Sequence, residues 1–458
     1  MFFGILTALS LQSVYAETEL EKATVAQYQQ YFNNKDHAET YQTFSEEMQK
    51  ALPLSTYTQV SESLYQQLGQ LKNVEFIEYK NKMAVYKATF EQGVLTLSIH
   101  VNDEKQIAGL LFTPFVEKKE NLNVVNAIKA YPKEVADKIF TATKNFPEGT
   151  QVAIAVYEQG KTKYYGVEQH QDKIQNSKNQ QKVFAIGSVS KVLTSTVLAE
   201  LVTQNKLKLD DTINSYYPFP FKDNIQLRFQ DLSNHTSGLA RLPSNMDLSS
   251  LDNPYKTYDA NKLESYLKDE LELVTTDNQG KTPQYSNLGV GLLGHTMGLS
   301  QQKSFEQLLK IYVFDKYGMK NSSVSLDKAG KKLVPALDTQ GGEIPTWEFD
   351  TMLAAGGILS SVEDLMKFAK SQLDDKNAVA KLMQKPTTEK VANHQVGLGW
   401  FIDAKDQQLI WHGGNTAGHT SILVLDLKNK KAAAILSNVA NLHADMPEIE
   451  KLALQLLK

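Results

Sequence analysis

The sequence predicts an α+β protein in two folded parts. A small module of helices followed by a sheet precedes a larger domain, in which helices flank one antiparallel sheet and a helical insertion interrupts it. Three observations carry this reading. Strand-like runs with short connections lie near both ends of the larger part. A long, mostly helical block, about residues 188 to 395, lies between them. Before residue 117 the pattern changes once, from helical spacing to strand alternation.

The bulk numbers fit two such parts. The chain has 458 residues, enough for two or three domains at about 150 residues each. A hydrophobic content of 41% and a charged content of 22% allow a core without disulfides at this size. The net charge of -4 provides no basic face, so no nucleic-acid partner is expected. Cysteine is absent, which excludes disulfides, thiolate metal sites and a cysteine nucleophile.

The first residues, "MFFGILTALSLQSVYAETE", form an apolar run that ends in Val14-Tyr15-Ala16 before charge begins. Small residues at the last and third-last positions predict a signal peptide over 1–16, and so an exported protein, periplasmic or extracellular. A buried first strand or helix is the alternative, and the lack of Lys or Arg after Met1 departs from the usual leader. The run is too short to span a bilayer comfortably, and no other segment approaches about 20 apolar residues, so no transmembrane helix is expected.

Residues 20–116 read as the small module. Val25, Tyr28 and Phe32, then Tyr57, Val60, Leu64 and Leu68, have helical spacing within 21–32 and 57–70. The runs "VEFIEYK", "MAVYKATFE", "GVLTLSIHV" and "QIAGLLFTPF" follow, with strand alternation and β-branched residues. This order resembles the small nuclear-transport-factor-like cone domains often fused ahead of hydrolases. The polar run "EKKENLN", 117–123, predicts a linker.

Residues 124–458 form the larger domain. "VVNAIKAYPKEVADKIFTAT" predicts a helix over 124–143, with Pro132 as a start or kink. "QVAIAVY" and "KTKYYGVE" flank the turn "EQGK" as a hairpin. Far downstream, "QQLIWH", "TSILVLDL" and "AAAILSN" predict three more strands, and "MPEIEKLALQLLK" a final helix. The order fits one sheet built from both ends of the domain. There are no internal repeats and no low-complexity tract.

The chemistry concentrates in three short stretches. In "VFAIGSVSKVLTSTVLAELV" the spacing of Ser188 and Lys191 puts both side chains on one helix face. A desolvated, partly neutral lysine there can take the serine proton, and the helix N-terminus adds orphan N–H groups nearby. Ser-x-x-Lys also occurs at Ser265/Lys268, Ser300/Lys303 and Ser325/Lys328. Only Ser188 follows a glycine after an apolar run and opens a helix apolar nearly all round, Val192 to Val202, which predicts burial. A buried lysine is costly without a role. At the other three pairs the lysine reads as a solvated side chain.

"QYSNLGVGLLGHTMG" holds both Tyr285-x-Asn287 and a G-x-G-x-x-G spacing, Gly289, Gly291 and Gly294. A dinucleotide loop needs an apolar strand in front of it. Here "GKTPQYSN" is polar and contains Pro283, so the glycines read as helix-packing residues. Tyr285 can share proton transfer with Lys191, and Asn287 can bind a substrate amide and the lysine. The plain alternative is a loop tyrosine with Asn287 as a helix N-cap. Two other Tyr-x-Asn pairs, Tyr31/Asn33 and Tyr79/Asn81, lie in the small module.

His412-Gly413-Gly414 ends the strand "QQLIWH" and precedes Asn415. Glycines on a strand let a substrate backbone approach, and an N–H just after them can join that of Ser188 as an oxyanion hole. A β-bulge before a hairpin is the bland alternative. The nine histidines are scattered, with no His-Glu-x-x-His motif, so neither a metal site nor a cofactor is expected.

Together "GSVSK", "QYSNLG" and "HGGNTAGHTS" occur in the order and broad spacing of the β-lactamase-related serine hydrolases, and "LSNHTSGL" and "AAGGILSSVEDLMKFA" add to the likeness. About residues 130 to 458 resemble that group, which includes class C β-lactamases, serine DD-peptidases, D-aminopeptidases and some esterases. The resemblance implies a β-lactamase/transpeptidase-like fold. It implies Ser188 as acylated nucleophile, Lys191 as proton acceptor and Tyr285 as partner acid/base. It also implies Asn287, His412, Gly414 and Asn415 as substrate-binding positions, with the Asn415 N–H completing the oxyanion hole. The implied substrates are small molecules or peptides: peptidoglycan stem peptides, β-lactams or small esters. Typical class C enzymes have Lys-Thr-Gly where this chain has His-Gly-Gly, so the permanent charge for a drug carboxylate is missing. A non-catalytic muropeptide sensor on the same fold is the competing reading.

Overall fold

A computed structural model describes residues 17–80, 83–115, 123–247, 253–274, 280–391, 393–440 and 446–458. The predicted leader, 1–16, and all but Asn123 of the predicted linker lie outside the described residues. The chain divides into two compact units, Met1–Phe115 and Val116–Lys458.

In the first unit, helix Glu19–Asn34 is opened by a capping box in which Thr18 accepts from Glu21 N. Its Val25, Tyr28 and Phe32 are buried, as their spacing predicts. Helices His37–Gln42, Glu46–Ala51 and Leu54–Leu68 follow. The two six-residue helices are too short for a helical period to show in sequence. Four strands, Leu71–Lys80, Met83–Phe90, Val94–Val101 and Ile107–Pro114, then pair in sequential antiparallel order. Aromatic contacts such as Phe32–Phe90, with ring centres 5.7 Å apart, fasten helix to sheet.

The second unit is built on a ten-stranded sheet. From one edge the order is His394–Val396, Phe401–Asp403, Leu409–Asn415, Thr420–Asp426, Lys431–Ser437, Gln151–Glu158, Val167–His170, Lys173–Asn176 and Val125–Ala127, with Lys161–Tyr164 also on Gln151–Glu158. The early and late strands meet at its centre, in register from Ala432 opposite Tyr157 to Ser437 opposite Val152. The period-2 alternation divides two cores. Ala153, Ala155, Leu423 and Leu425 face the helical insertion. Val152, Ile154, Val156, Ile422 and Val424 face helices Lys133–Thr143 and Met446–Leu457.

Local expectations need correction at three places. The helix predicted over 124–143 begins only at Lys133, with Pro132 in the cap position. Proline pushes the residue before it out of helical geometry, and Val125–Ala127 instead joins the sheet, parallel to Lys173–Asn176. "KTKYYGVE" is two strands, Lys161–Tyr164 and Val167–His170, both on Gln151–Glu158. In "SSVED" the spacing of Ser360 and Glu363 predicts a capping box, but the helix starts one residue later: Ser361 accepts from Asp364 N at 3.2 Å.

The insertion positions the reactive groups. Helix Ser190–Thr203 is buried on nearly every side, with Val192, Leu193, Val197 and Leu198 inaccessible. Its glutamate, Glu200, is paired with Lys316. Helix Asn287–Gln301 lies close against residues 352–354 because it carries glycine where it meets them. A Cβ on Gly291 would stand 2.5 Å from Met352 Sδ, and one on Gly294 2.3 Å from Ala354 Cβ. The G-x-G-x-x-G glycines are therefore packing residues inside a helix. Thr194 Oγ1 donates to Ala354 O at 2.8 Å, so the short helix Leu353–Gly356 is held by both longer helices.

Candidate active site

Ser188 sits in a tight turn, Gly187–Val189, that leads into helix Ser190–Thr203. Gly187 has φ +47°, and a Cβ there would lie 2.4 Å from Asn415 N. A Cβ on Gly414 would lie 2.1 Å from Ile186 O and 2.8 Å from Ser188 N. The turn and the strand Leu409–Asn415 thus touch backbone to backbone through two glycines. This contact gathers the amides of Ser188 and Asn415 beside the serine.

Lys191 is completely buried. Its Nζ stands 3.2 Å from Ser188 Oγ, 2.8 Å from Asn287 Oδ1 and 2.7 Å from Ala355 O. Burial holds its pKa well below the usual lysine range, and the like charge of Arg241 pushes it the same way. The lysines of the other three Ser-x-x-Lys pairs, Lys268, Lys303 and Lys328, are exposed.

Tyr285 closes the next side, its ring centre 4.8 Å from Lys191 Nζ. Burial pushes its phenol up to about 12, against opposing pulls from a hydrogen bond with Ser188 and from the Arg241 charge. The N-cap of the following helix is Ser286, whose Oγ accepts from Gly289 N at 2.8 Å. That frees Asn287 from the capping alternative and turns its amide between Lys191 and Tyr255, whose hydroxyl accepts from Asn287 Nδ2 at 3.0 Å.

His412 is buried on the facing strand, its ring centre 6.4 Å from that of Tyr285. Burial lowers its pKa to about 3. Nδ1 lies 2.6 Å from Gly413 O, which fixes the proton there and leaves Nε2 a bare acceptor with no partner among the described residues.

All seven sequence-predicted positions, Ser188, Lys191, Tyr285, Asn287, His412, Gly414 and Asn415, therefore come together. Four further participants carry no motif of their own. The Ala355 carbonyl and Tyr255 are supplied by tertiary packing. His235, within "LSNHTSGL", lies under Tyr285 with ring centres 4.5 Å apart, and its Nδ1 accepts from Ser286 N at 3.2 Å. Burial drives its pKa well below 6.5. The Arg241 guanidinium stands 5.1 Å from the Tyr285 ring centre. Its one sequence signal is rarity, since Arg228 and Arg241 are the only arginines in the chain. Among the described residues no group of three His, Asp or Glu is arranged to hold a metal, and no helix is long and apolar enough to cross a membrane.

The chain is similar to known proteins. The family model described as beta-lactamase matches residues 142–458, and the chain belongs to that family, whose members are serine hydrolases. A second model, a protein of unknown function termed DUF3887, matches residues 25–110. A beta-lactamase of Pseudomonas fluorescens is 28% identical over 57% of this chain and 68% of its own length. A teichoic acid D-alanine hydrolase of Staphylococcus aureus is 29% identical over 36% of this chain and 46% of its own length. A crystal structure of a beta-lactamase/D-alanine carboxypeptidase from Yersinia pestis, complexed with citrate, shares the fold. Its TM-score is 0.58 at 20% identity, over 71% of this chain and 98% of that one.

Proposed function

We propose that the protein is an acyl-serine hydrolase of the cell envelope that cleaves D-alanyl esters and peptides, with Ser188 as nucleophile, Lys191 as proton acceptor and Tyr285 as proton donor. One observation carries this reading: the set of neighbours around Lys191 Nζ. A neutral amine has two N–H donors and one lone pair. Asn287 Oδ1 and Ala355 O accept the two donors, which leaves the lone pair for the Ser188 hydroxyl. Among the described residues no carboxylate stabilises an ammonium there, and burial favours the neutral form.

In the first half-reaction the Ser188 proton moves to Lys191 while Oγ attacks the substrate carbonyl. The oxyanion is received by the N–H groups of Ser188 and Asn415. Tyr285 protonates the departing alcohol or amine, so the serine proton reaches the leaving group by way of the pair. Water then releases the acyl group by the reverse transfers, and the pair titrates as a unit.

The relatives that act on D-alanyl and β-lactam carbonyls support the substrate class. His412, neutral on the facing strand, supplies no charge for a substrate carboxylate, whether of a β-lactam or of a D-Ala-D-Ala peptide, and so does not rank the two. A panel of nitrocefin, a D-Ala-D-Ala peptide and a p-nitrophenyl ester ranks the three classes. Labelling with a fluorophosphonate or a fluorescent penicillin tests the nucleophile, and a Ser188→Ala variant that labels as well as wild type overturns it. The apolar leader and the substrate class both support export. N-terminal sequencing of secreted protein should find residues 1–16 removed.

A further inference from the structure

Four basic side chains lie around the Tyr285 ring: Lys191, His235, His412 and Arg241. Three are enclosed. Lys191 has its donors committed to Asn287 and Ala355. His235 and His412 are buried at 3% and 2% exposure, and burial favours their neutral forms. Arg241 differs. It is exposed, and a guanidinium keeps its charge at every physiological pH.

The position of Arg241 is fixed from below. Its carbonyl accepts from Asn287 N at 3.0 Å and Leu288 N at 3.2 Å, and the preceding Ala240 carbonyl accepts from Ser286 Oγ at 2.7 Å. The residue is therefore tied to the start of the helix that carries Asn287. Its guanidinium, 5.1 Å from the Tyr285 ring centre, leans on the catalytic tyrosine. A cation over an aromatic face keeps its N–H fork available to a ligand. Arg228, the other arginine, is paired with Asp210 and Asp231. Among the described residues no carboxylate pairs with Arg241. A charged, exposed fork thus stands beside Tyr285 with no carboxylate partner among the described residues, while the neutral His412 offers no charge.

We propose that Arg241 is the substrate-anion contact of this site, so that the favoured acyl donors carry a carboxylate or phosphate within reach of the Tyr285–Asn287 wall. The inference rests on the acyl-serine reading above and narrows its substrate class. Carboxylate and phosphate present the same oxygen geometry to a guanidinium.

Three D-alanyl esters of one short alcohol, ending in a carboxylate, a phosphate or a neutral carboxamide, separate the possibilities when given to the full chain and to its Arg241→Gln and Arg241→Lys variants at the plateau of the pH profile. The readout is the ratio of kcat/KM on each anionic ester to that on the neutral one. Arg241→Gln should lower this ratio about tenfold or more, the range of a lost charge-assisted hydrogen bond. Arg241→Lys should recover part of it, and added salt should lower the wild-type ratio through screening. The ester on which the ratio falls furthest identifies the anion. An equal loss on all three esters overturns the proposal and leaves Arg241 as a cover for Tyr285. Fluorophosphonate labelling of Ser188 in the same preparations keeps the two readings apart: a wild type that neither labels nor cleaves any ester sinks the acyl-serine assignment itself.

Discussion

At the scale of single residues, the proposed mechanism depends on keeping one amine neutral and one phenol protonated. Lys191 is disfavoured as a cation by burial, so its folded pKa lies well below 10.5. Activity should therefore be lost as pH falls through that lowered value, when the amine takes a proton and can no longer accept one. Tyr285, raised to about 12, remains an acid over the working range. A kcat/KM profile should show one limb on the acid side and a plateau above it; a second limb near neutral pH would contradict these assignments. Lys191→Arg should lower kcat/KM by about 10²–10⁴-fold, since a guanidinium cannot serve as base in this range. Circular dichroism on the same variant would separate lost catalysis from lost folding.

At the scale of elements, the glycines decide how closely the catalytic pieces approach. Gly414→Ala would place a methyl 2.1 Å from Ile186 O and 2.8 Å from Ser188 N. Backbone must move, and the expected result is a loss of about 10²-fold or more in acylation, the range for a disturbed oxyanion hole. Rates of Ser188 labelling would measure it. Gly294→Ala drives Cβ to 2.3 Å from Ala354 Cβ, one residue from the carbonyl that holds Lys191. It should weaken both stability and acylation, whereas Gly318→Ala, with open space around the added Cβ but φ +66°, should cost only backbone strain. Thermal melting and labelling on the two variants test the contrast. The same elements show where sequence reading stops. Both the Ser-x-x-Lys pair and the period-2 strands were legible, because each depends on near neighbours in the chain. The strand at Val125–Ala127 and the cap at Ser361 were not, because a sheet partner and a buried Asp364 decided them.

At the scale of the whole molecule, buried neutral histidines set the response to acid. His235, His412 and His419 are all buried, with pKa values respectively well below 6.5, at about 3 and at about 4. Below pH 6.5 the unfolded chain binds protons that the folded chain refuses. Stability is then lost as pH falls, each histidine contributing up to about 1.4 kcal/mol per pH unit until its folded pKa is reached. Glu450, whose carboxyl is raised by burial, opposes this in part. Urea unfolding should show a falling midpoint between pH 7 and 5; a flat midpoint would mean these rings accept protons in place.

The sequence by itself determined the reactive residue types, the helix that buries Lys191 and the two-ended sheet. Those features follow from side-chain chemistry and from periods of two or about four residues. Tertiary structure alone decided that Ala355 O takes one of the lysine's donors, that His235 lies under Tyr285 and that Arg241 stands exposed above it. These contacts join segments separated by 44 to 164 positions, as Arg241 is from Tyr285 and Lys191 is from Ala355. The physical reason is that burial and charge act through space, and no spacing along the chain records which distant groups will share one desolvated pocket.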